Sequence, residues 1–288
     1  MSERILILGS RGLLGQTLVA TLKKSAYLPL EQTRLLGGSV VCDPGSFFDL
    51  KKTILDQRPD GIINLIGATN VDKCESNLEY AYAGNVAPSA NLAAVIESLK
   101  LDIPVIHIST DHVYSDDGYK SEENIHILNQ YALSKYASEA PILSVGGIVL
   151  RTNFFGRSKS SGRISITDWI YGALIKKEAA TVFTDVLISA LHSETLAELI
   201  IEIYKQPKPG IFNIGINGGY SKADLAYGLA SRLNLDAKNL TSGRLGEVET
   251  RVRRPKDMRM NVEKFVNTYG IDLPDFVSQL DRAAKEYA

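Results

Sequence analysis

Tyr131 and Lys135 are the two residues of this sequence whose types and spacing are best suited to chemistry. They lie four residues apart after Asn129, a residue type that often caps helices, so a helix starting there places the phenol and the ammonium on one face. An ammonium about 4–5 Å from a tyrosine stabilises the phenolate by up to about 4 kcal/mol at an effective dielectric of about 20, which lowers the tyrosine pKa by roughly two to three. The pair therefore predicts a general acid. Taken alone, the pattern more often describes a packed tyrosine beside a solvated lysine, so the prediction depends on the rest of the chain.

A glycine-rich loop at residues 9–15 lies between a predicted strand and a predicted helix. Residues 5–8 are all apolar, Gly9, Gly12 and Gly15 follow, and residues 16–24 have apolar side chains at helical spacing. Glycines permit a sharp turn and a close backbone approach, and a helix N-terminus presents unpaired N–H groups and a positive dipole end. The arrangement predicts a site for a dinucleotide pyrophosphate, with a purely structural turn as the alternative. The residues of this predicted site are Gly9, Arg11, Gly12, Leu13, Leu14 and Gly15.

Three charged residues further along bear on which dinucleotide binds. Glu31 follows Gly9 by 22 residues, close to the place where an acidic residue binds the adenosine ribose 2′-hydroxyl of NAD. Arg34 instead suits the 2′-phosphate of NADP. Asp43 is a candidate either for the adenine amino group or for capping the helix that begins near residue 46. The sequence therefore predicts NADPH or NADH and leaves the choice open.

Strand-like and helix-like stretches alternate through the first half of the chain. Helical patterns over 47–57 and 85–99 alternate with apolar, strand-like runs at 61–67 and 105–108. This alternation predicts an α/β fold with a doubly wound parallel sheet, in which ligands bind at the carboxyl ends of the strands. Thr110 follows the last of these runs, where its hydroxyl can bind the carbonyl oxygen that Tyr131 protonates. Capping a turn is the alternative role for this threonine.

The second half of the chain has a different pattern. A loop rich in serine, glycine and basic residues at 156–163 precedes predicted helices over 164–177 and 193–204, strands at 181–183 and 211–214, and a helix opened by Ser221. Residues 244–259 form a predicted basic loop, which suits either a ligand diphosphate or a solvated surface. Its cationic residues include Arg251, Arg253, Arg254, Lys256 and Arg259.

Composition argues against several classes of function. The 288 residues are 44% apolar and 23% charged, and 32 basic against 33 acidic residues give a net charge of −1. Such a balance predicts small ligands at local sites and neither nucleic acid nor a membrane as partner. No apolar run has the length of a signal peptide core or a membrane span, so we expect a cytoplasmic protein. Cys42 and Cys74 have the spacing of neither a disulfide framework nor a zinc site.

The glycine loop, Thr110, Tyr131 and Lys135 together resemble the extended short-chain dehydrogenase/reductase superfamily. Within it, the chain is most similar to the dTDP-4-dehydrorhamnose reductase family, and the similarity covers nearly the whole sequence. The stretches that carry it are Val71-Asp-Lys-Cys-Glu-Ser76 with Asn85-Val86, Ser109-Thr-Asp-His-Val-Tyr114, Asn129-Gln-Tyr-Ala-Leu-Ser-Lys135, Arg151-Thr-Asn-Phe154 and Arg253-Arg-Pro-Lys-Asp-Met-Arg-Met260.

The resemblance implies a Rossmann domain over 1–156 that binds NAD(P), and a smaller, interleaved C-terminal α/β domain over 157–288 that mainly binds the nucleotide sugar, with some segments returning to the Rossmann core. It also implies reduction of the C4 ketone of a nucleotide-activated 4-keto-6-deoxy sugar, as in dTDP-rhamnose and polysaccharide biosynthesis. Tyr131 would donate the proton, Lys135 would hold the nicotinamide ribose, and Thr110 would bind the carbonyl oxygen. The other implied contacts are Ile66, Gly67 and Ala68 for the cofactor, Thr69 and Val71 for the sugar, and Arg254 for nucleotide phosphate.

The chain departs from the family pattern where the sugar pocket is implied. His112 stands where the family usually has tyrosine, Phe154 where it has tryptophan, and Ala190 where it has proline. The resemblance therefore implies His112 and Phe154 as substrate contacts and leaves the identity of the sugar open.

A metal and an oligomer are also implied by some family members. These bind Mg²⁺ through glutamates near a dimer interface, and Glu194 and Glu286 match two of the positions. The third position is Thr17, so Mg²⁺ stays an open expectation, as does a homodimer.

Two other functions fit parts of the same pattern. The regulatory subunit of methionine adenosyltransferase is similar to these reductases, so one alternative is a dinucleotide-binding protein without turnover. The other is a nucleotide-sugar epimerase or dehydratase. Dehydratases place an Asp-Glu pair after the catalytic threonine, whereas this chain has Asp111 and His112. The set of Thr110, Tyr131 and Lys135 favours the reductase.

Overall fold

The computed structural model describes residues 2–34, 39–115, 117–160, 162–247 and 252–288. Within these ranges the chain forms two compact units that interleave along the sequence. Unit 1 comprises Met1–Thr110, Asn129–Arg151 and Ala197–Phe212, and unit 2 comprises Asp111–Leu128, Thr152–Leu196 and Asn213–Ala288.

The chain up to residue 152 alternates strands with helices, as its apolar pattern predicts. The elements are β1 (Arg4–Leu8), α1 (Leu13–Lys23), β2 (Leu28–Thr33), β3 (Val40–Val41), α2 (Phe47–Gln57), β4 (Gly61–Asn64), α3 (Val71–Ser76), α4 (Leu78–Ala81), a π-helical turn (Tyr82–Val86), α5 (Ala87–Leu99), β5 (Val105–Ile108), a 3₁₀ turn (Asp111–Val113), α6 (Gln130–Ala137), α7 (Glu139–Ser144) and β6 (Ile148–Thr152).

The remaining chain has shorter strands. Its elements are β7 (Phe154–Phe155), α8 (Ile166–Lys176), β8 (Ala180–Phe183), β9 (Leu187–Ile188), β10 (Leu191–His192), α9 (Ser193–Lys205), β11 (Gly210–Ile214), β12 (Tyr220–Ser221), α10 (Lys222–Arg232), β13 (Leu240–Gly243), a 3₁₀ turn (Leu245–Glu247), β14 (Asp257–Met258), α11 (Glu263–Tyr269) and α12 (Phe276–Lys285). The helices and strands predicted at 164–177, 181–183, 193–204 and 211–214 are confirmed as α8, β8, α9 and β11.

Seven strands form one sheet, in the order β11-β6-β5-β4-β1-β2-β3. β1 pairs in parallel with β2 and β4, and further parallel pairs join β2 to β3, β4 to β5 and β5 to β6. The strand order therefore runs outward from β1 in both directions, and ligands of such sheets bind beside the strand where the order reverses. The doubly wound α/β fold that the sequence predicts is confirmed.

The core of unit 1 explains why its strands read as continuous apolar runs. Every residue of β4 and β5 is buried, because helices cover both faces of a parallel sheet. Leu50 of α2 and Leu92 of α5 are fully buried in the same cluster as Leu6 and Ile62. Complete burial of each such side chain contributes about 1.5–3 kcal/mol, which makes the sheet a rigid support for the residues at its edge.

Unit 2 is built from three small sheets and several capped helices. The sheets are β10-β7, β12-β9-β14 and β13-β8. α8 and α10 both begin with a reciprocal capping box, formed by Ser165 with Asp168 and by Ser221 with Asp224, which satisfies N–H groups that a helix start leaves unpaired. α10 packs against α8 and α12. Across the described ranges, no helix has both the length and the apolar character needed to cross a membrane.

The segment 244–259 differs from the loop predicted for it. Asp257 and Met258 form β14, which pairs in parallel with β9, and both residues are buried. Their polar and apolar neighbours in the sequence give no periodic pattern, and the strand depends on its partner in the sheet. Arg251, one of the predicted cations, lies outside the described residues.

Candidate active site

The glycine loop has the backbone that the predicted pyrophosphate site requires. Gly9 has φ +84, in the region that favours glycine, and a Cβ at Gly15 would stand 2.3 Å from the Gly9 carbonyl oxygen. Gly12 caps α1 without a side-chain hydrogen bond, so the first N–H groups of this helix are available to an anionic ligand. The loop therefore fits the phosphates of a dinucleotide.

Gln32 holds this loop against the neighbouring strands, a role that the sequence did not reveal. Its Oε1 accepts a hydrogen bond from Gly9 N at 2.9 Å, and its Nε2 donates to the Cys42 carbonyl at 2.6 Å. The Ser10 hydroxyl donates to the Gln32 carbonyl at 2.7 Å. These buried contacts join the glycine loop to the ends of β2 and β3.

The three charged residues predicted near the adenosine ribose fall into two ion pairs. Arg34 Nε lies 3.0 Å from Asp43 Oδ1, just beyond the carboxyl ends of β2 and β3, and both side chains are exposed. Glu31, within β2, lies 2.6 Å from Lys23 Nζ of α1. The structure thus brings Arg34 and Asp43 together and pairs Glu31 elsewhere.

Tyr131 and Lys135 lie on α6, as predicted. The Asn129 side chain caps this helix by accepting a hydrogen bond from Ala132 N at 2.9 Å. Both Tyr131 and Lys135 are buried, at 8% and 4% exposure. Lys135 Nζ donates to the Ile108 carbonyl at 2.6 Å, at the end of β5.

The lysine head group therefore lies at the edge of the sheet where ligands bind. A Cβ at Gly67, which follows β4, would be 3.8 Å from Lys135 Nζ, so the ammonium lies beside the carboxyl ends of both β4 and β5. Thr110 follows β5 by two residues and is also buried. Unit 1 thus carries all three predicted catalytic residues on elements that meet at one edge.

Burial governs the titration of the groups around this lysine. It lowers the pKa of Lys135 from 10.5 to about 8, and the nearby Glu139 carboxylate opposes the shift. The lysine is therefore protonated at neutral pH, as the stabilisation of a phenolate requires. Burial, assisted by Lys135, lowers the pKa of His107 well below 6.5, so this histidine is neutral.

Asn85 fastens the loop after β4 to the catalytic helix. Its Oδ1 accepts from Ala68 N at 2.7 Å, and its Nδ2 donates to the Ser134 hydroxyl of α6 at 2.8 Å. Ile66 and Gly67 precede Ala68 in this loop, so the predicted cofactor contacts are tied to the helix of Tyr131. Further along, Thr69 is exposed and Val71 is buried at the start of α3.

Glu139 is a second buried residue that sequence reasoning missed. Its Oε1 accepts from the Ser109 hydroxyl at 2.5 Å and from Arg151 Nε at 2.9 Å, and its Oε2 accepts from Arg151 Nη2 at 2.7 Å. Its position four residues after Lys135 was the available signal, since that spacing places it on the same helical face.

Unit 2 gathers the substrate residues predicted near its 3₁₀ turn. Burial, then the charges of Lys222 and Arg254, lower the pKa of His112 to about 3. Burial also lowers the pKa of Lys222, with Asp111 opposing it. Two cations, Lys222 and Arg254, therefore lie near the neutral His112 and the buried Asp111 carboxylate; these residues are called the cationic group of unit 2. The sequence prediction did not include Lys222. Phe154 is half-buried in β7.

Two other cations of the predicted basic loop have partners within the protein. Arg259 contacts the Asp257 carboxylate at 2.8 and 2.5 Å, and Lys256 Nζ lies 3.2 Å from Asp185 Oδ2. Lys256 and Arg259 are therefore less available to bind an anionic ligand. Arg254 differs from them in that its charge acts on His112.

The glutamates matched to a metal site contact other side chains of the protein. Glu194 lies 3.3 Å from Lys159 Nζ, and Glu286 lies 3.0 Å from His192 Nε2. Thr17 is buried in α1, where its hydroxyl donates to the Leu13 carbonyl. Within the described chain, no three His, Cys, Asp or Glu side chains are grouped to hold a metal ion, so these residues do not fit a Mg²⁺ site.

Comparisons with known proteins find relatives that match nearly the whole chain. The family described as RmlD substrate binding domain matches residues 3–288. The probable low-salt glycan biosynthesis reductase Agl14 of Haloferax volcanii is 25% identical over 98% of each chain. The dTDP-4-dehydrorhamnose reductase of Escherichia coli is 25% identical over 98% of this chain and 97% of its own.

Solved structures show the same fold. The crystal structure of dTDP-4-dehydrorhamnose reductase from Bacillus anthracis in complex with NADP superposes with a TM-score of 0.87 at 23% identity, covering 99% of this chain and 100% of that one. With the match over residues 3–288, the chain belongs to the RmlD substrate binding domain family, the family of NAD(P)-dependent nucleotide-sugar reductases that its motifs resemble.

Proposed function

We propose that this protein reduces the C4 ketone of a nucleotide-activated 4-keto-6-deoxy sugar, using NADPH or NADH. The observation that carries the proposal is the position of Lys135, whose buried ammonium donates to the Ile108 carbonyl at the end of β5. Tyr131 precedes it by one helical turn, and Thr110 follows Ile108 by two residues. The proposal is supported because these residues lie on elements that reach the edge of the sheet, where dinucleotides bind in folds of this kind.

Each residue has a distinct role in this proposal. Thr110 donates a hydrogen bond to the ketone oxygen and holds it within reach of Tyr131. A bound nicotinamide supplies the hydride. Tyr131 donates its proton to the oxygen as negative charge develops there, and the Lys135 ammonium stabilises the phenolate that remains. The burial of Lys135 strengthens this stabilisation, because water does not screen the charge.

We infer that NADPH is the preferred dinucleotide. Arg34 and Asp43 meet beyond the carboxyl ends of β2 and β3, where an arginine can bind a 2′-phosphate. Glu31, the residue that would favour NADH, already pairs with Lys23 at 2.6 Å.

The cationic group of unit 2 supports a nucleotide diphosphate as the activating group of the sugar. Arg254 and Lys222 supply positive charge beside the neutral His112. Their positive charge attracts an anionic group of a ligand, and a diphosphate supplies such a group. In this proposal, Phe154 and His112 contact the sugar.

A spectrophotometric assay tests the proposal. Purified protein is mixed with NADPH and a dTDP-4-keto-6-deoxy sugar, nicotinamide absorbance is followed at about 340 nm, and the product is identified by mass spectrometry. Tyr131→Phe should reduce kcat by about 10²-fold or more, the usual scale for loss of a general acid, with NADPH binding retained. Tyr136→Phe is the matched control, because it makes the same chemical change at a half-exposed position of α6.

The outcomes separate the candidate functions. Full activity of Tyr131→Phe would refute the assigned mechanism. Tight NADPH binding without turnover of dTDP-, UDP- or GDP-linked 4-keto sugars would instead favour the dinucleotide-binding protein without catalysis.

A further inference from the structure

Three consecutive residues at the end of β5 are hydrogen-bonded to the segment 135–139. We call these three contacts the strand clasp. They are His107 Nε2 to Ser138 Oγ at 2.9 Å, the Ile108 carbonyl to Lys135 Nζ at 2.6 Å, and Ser109 Oγ to Glu139 Oε1 at 2.5 Å. Thr110 is the next residue after the clasp. The clasp therefore sets the distance between the strand end that carries Thr110 and the helix that carries Tyr131.

Glu139 is the anchored member of the clasp. Arg151, on β6, binds it through two parallel hydrogen bonds of 2.9 and 2.7 Å, and the two side chains are only 2% and 1% exposed. Bidentate pairs of this kind fix a carboxylate in orientation as well as position. Because Ser109 donates to the same carboxylate, the anchor extends from β6 to the end of β5.

Glu139 also shares a helical face with the catalytic pair. Tyr131, Lys135 and Glu139 are spaced by four residues, and Ser138, between α6 and α7, has φ −73 and ψ −14, so the helical path continues through it. A phenol, an ammonium and a carboxylate therefore follow one another along one face.

The titratable and charged groups around Lys135 lie on four elements. Tyr131 lies on the same helix, His107 on β5 and Glu139 on α7, with Arg151 of β6 bound to Glu139. His107 is neutral, since its pKa lies well below 6.5. Among these groups of the described chain, Glu139 supplies the negative charge that offsets the burial of Lys135.

Building on the proposed reductase function, we propose that Glu139 is a positioning residue of the catalytic site: through Ser109 it fixes the strand end that carries Thr110, and one helical turn beyond Lys135 it supplies a buried carboxylate on the helical face of the ammonium. Glu139 contacts neither substrate nor cofactor in this role. It acts through Ser109 and Lys135, which makes the two effects separable by mutation.

The charge effect is measured by titrating Lys135 directly. Protein labelled with ¹³Cε-lysine is followed by NMR from about pH 6 to 11, and the Lys135 resonance is identified by its loss in Lys135→Met. The wild-type midpoint is expected at about 8. Glu139→Gln should lower this midpoint by about one pH unit or more, because an opposite charge near an ionisable group shifts its pKa on that scale. Glu139→Asp keeps the charge, so its Lys135 midpoint should lie close to the wild-type value.

The positioning effect is measured by kinetics. Ser109→Ala keeps the carboxylate, so the Lys135 midpoint should stay in place while kcat for the dTDP-4-keto sugar falls by about tenfold, with KM for NADPH unchanged. In Glu139→Gln the alkaline limb of kcat/KM should also move to lower pH. Glu202→Gln, which removes an exposed carboxylate from α9, is the matched charge control and should change neither measurement.

The same Lys135 midpoint in Glu139→Gln and in the wild type would overturn the charge role, and wild-type kcat in Ser109→Ala would overturn the positioning role. If Glu139→Gln does not fold because Arg151 loses its partner, Glu139→Gln combined with Arg151→Met removes both buried charges. Its Lys135 midpoint should still lie below the wild-type value, by less than in Glu139→Gln, because the Arg151 cation no longer opposes protonation of Lys135. The titration needs neither cofactor nor substrate. Absence of turnover by the wild type would therefore count against the proposed function and against the positioning role measured by kcat, while the titration would still decide the charge role.

Discussion

Replacing Lys135 with methionine should stabilise the folded protein slightly at neutral pH, because the fold holds this ammonium in a buried place. Lys135 is 4% exposed, and burial lowers its pKa from 10.5 to about 8. The difference of about 2.5, at about 1.36 kcal/mol for each pKa unit, gives a cost of about 3 kcal/mol for keeping the lysine protonated in the folded state.

Part of this cost is offset by what the lysine binds. The methionine leaves the Ile108 carbonyl without the hydrogen bond from Nζ, at a cost of about 1–3 kcal/mol. The net gain in unfolding free energy at pH 7 is therefore expected to be about 0–2 kcal/mol.

The pH dependence gives the sharper test. Below pH 8 the lysine is protonated in both the folded and the unfolded protein, so its cost is constant. Between about pH 8 and 10.5 the unfolded chain keeps a proton that the folded protein has lost, so wild-type stability rises with pH. Lys135→Met lacks this rise, and its advantage should shrink by about 3 kcal/mol across that interval.

Urea unfolding of both proteins, followed by circular dichroism at several pH values between 7 and 10.5, measures this difference. Lys176→Met, which alters an exposed lysine at the end of α8, is the control and should follow the wild-type profile. Parallel profiles for the wild type and Lys135→Met would refute the reasoning, because they would mean that Lys135 titrates alike in the folded and unfolded states.

Four other substitutions have outcomes that follow from the structure. Gly15→Ala should prevent NADPH binding or folding, because its Cβ would stand 2.3 Å from the Gly9 carbonyl oxygen; NADPH fluorescence measures the binding. Gly172→Ala, with open space around it inside α8, should instead raise the unfolding free energy by about 0.5–1 kcal/mol, which urea unfolding measures. Arg34→Ala should raise KM for NADPH by about tenfold with little change for NADH, the scale expected when a charged hydrogen bond is lost. His112→Gln should keep the acidic limb of the pH–rate profile, since burial, Lys222 and Arg254 hold the pKa of His112 at about 3 and the residue stays neutral where the enzyme is assayed.

The parts of the fold that sequence predicted are those set by local periodicity. β4 and β5 read as continuous apolar runs because both faces of the sheet are covered, and the cap at Asn129 marks the start of α6. The spacing of Tyr131 and Lys135 needed only the geometry of one helix. Such features depend on neighbours a few residues away, which the sequence displays directly.

The parts that sequence did not predict depend on partners distant along the chain. Gln32 binds Gly9 across 23 residues, and nothing near either residue indicates the contact. The predicted basic loop shows the same limit, because the sequence cannot show that Arg259 is neutralised by Asp257 in a strand formed only through pairing with β9. A run of charges predicts a ligand site poorly when the carboxylates that neutralise it are set by the tertiary fold.

The way Glu139 is bound explains how one lysine can be both buried and useful. A carboxylate in direct contact with Lys135 would hold the ammonium in a tight pair and reduce its attraction for the Tyr131 phenolate. Glu139 instead uses its two oxygens for Arg151 and Ser109, so it acts on Lys135 through charge while the lysine donates to the Ile108 carbonyl. Because apolar residues of similar size would stabilise the interior as well, we expect the buried Arg151–Glu139 pair to matter mainly through its effect on Ser109 and Lys135.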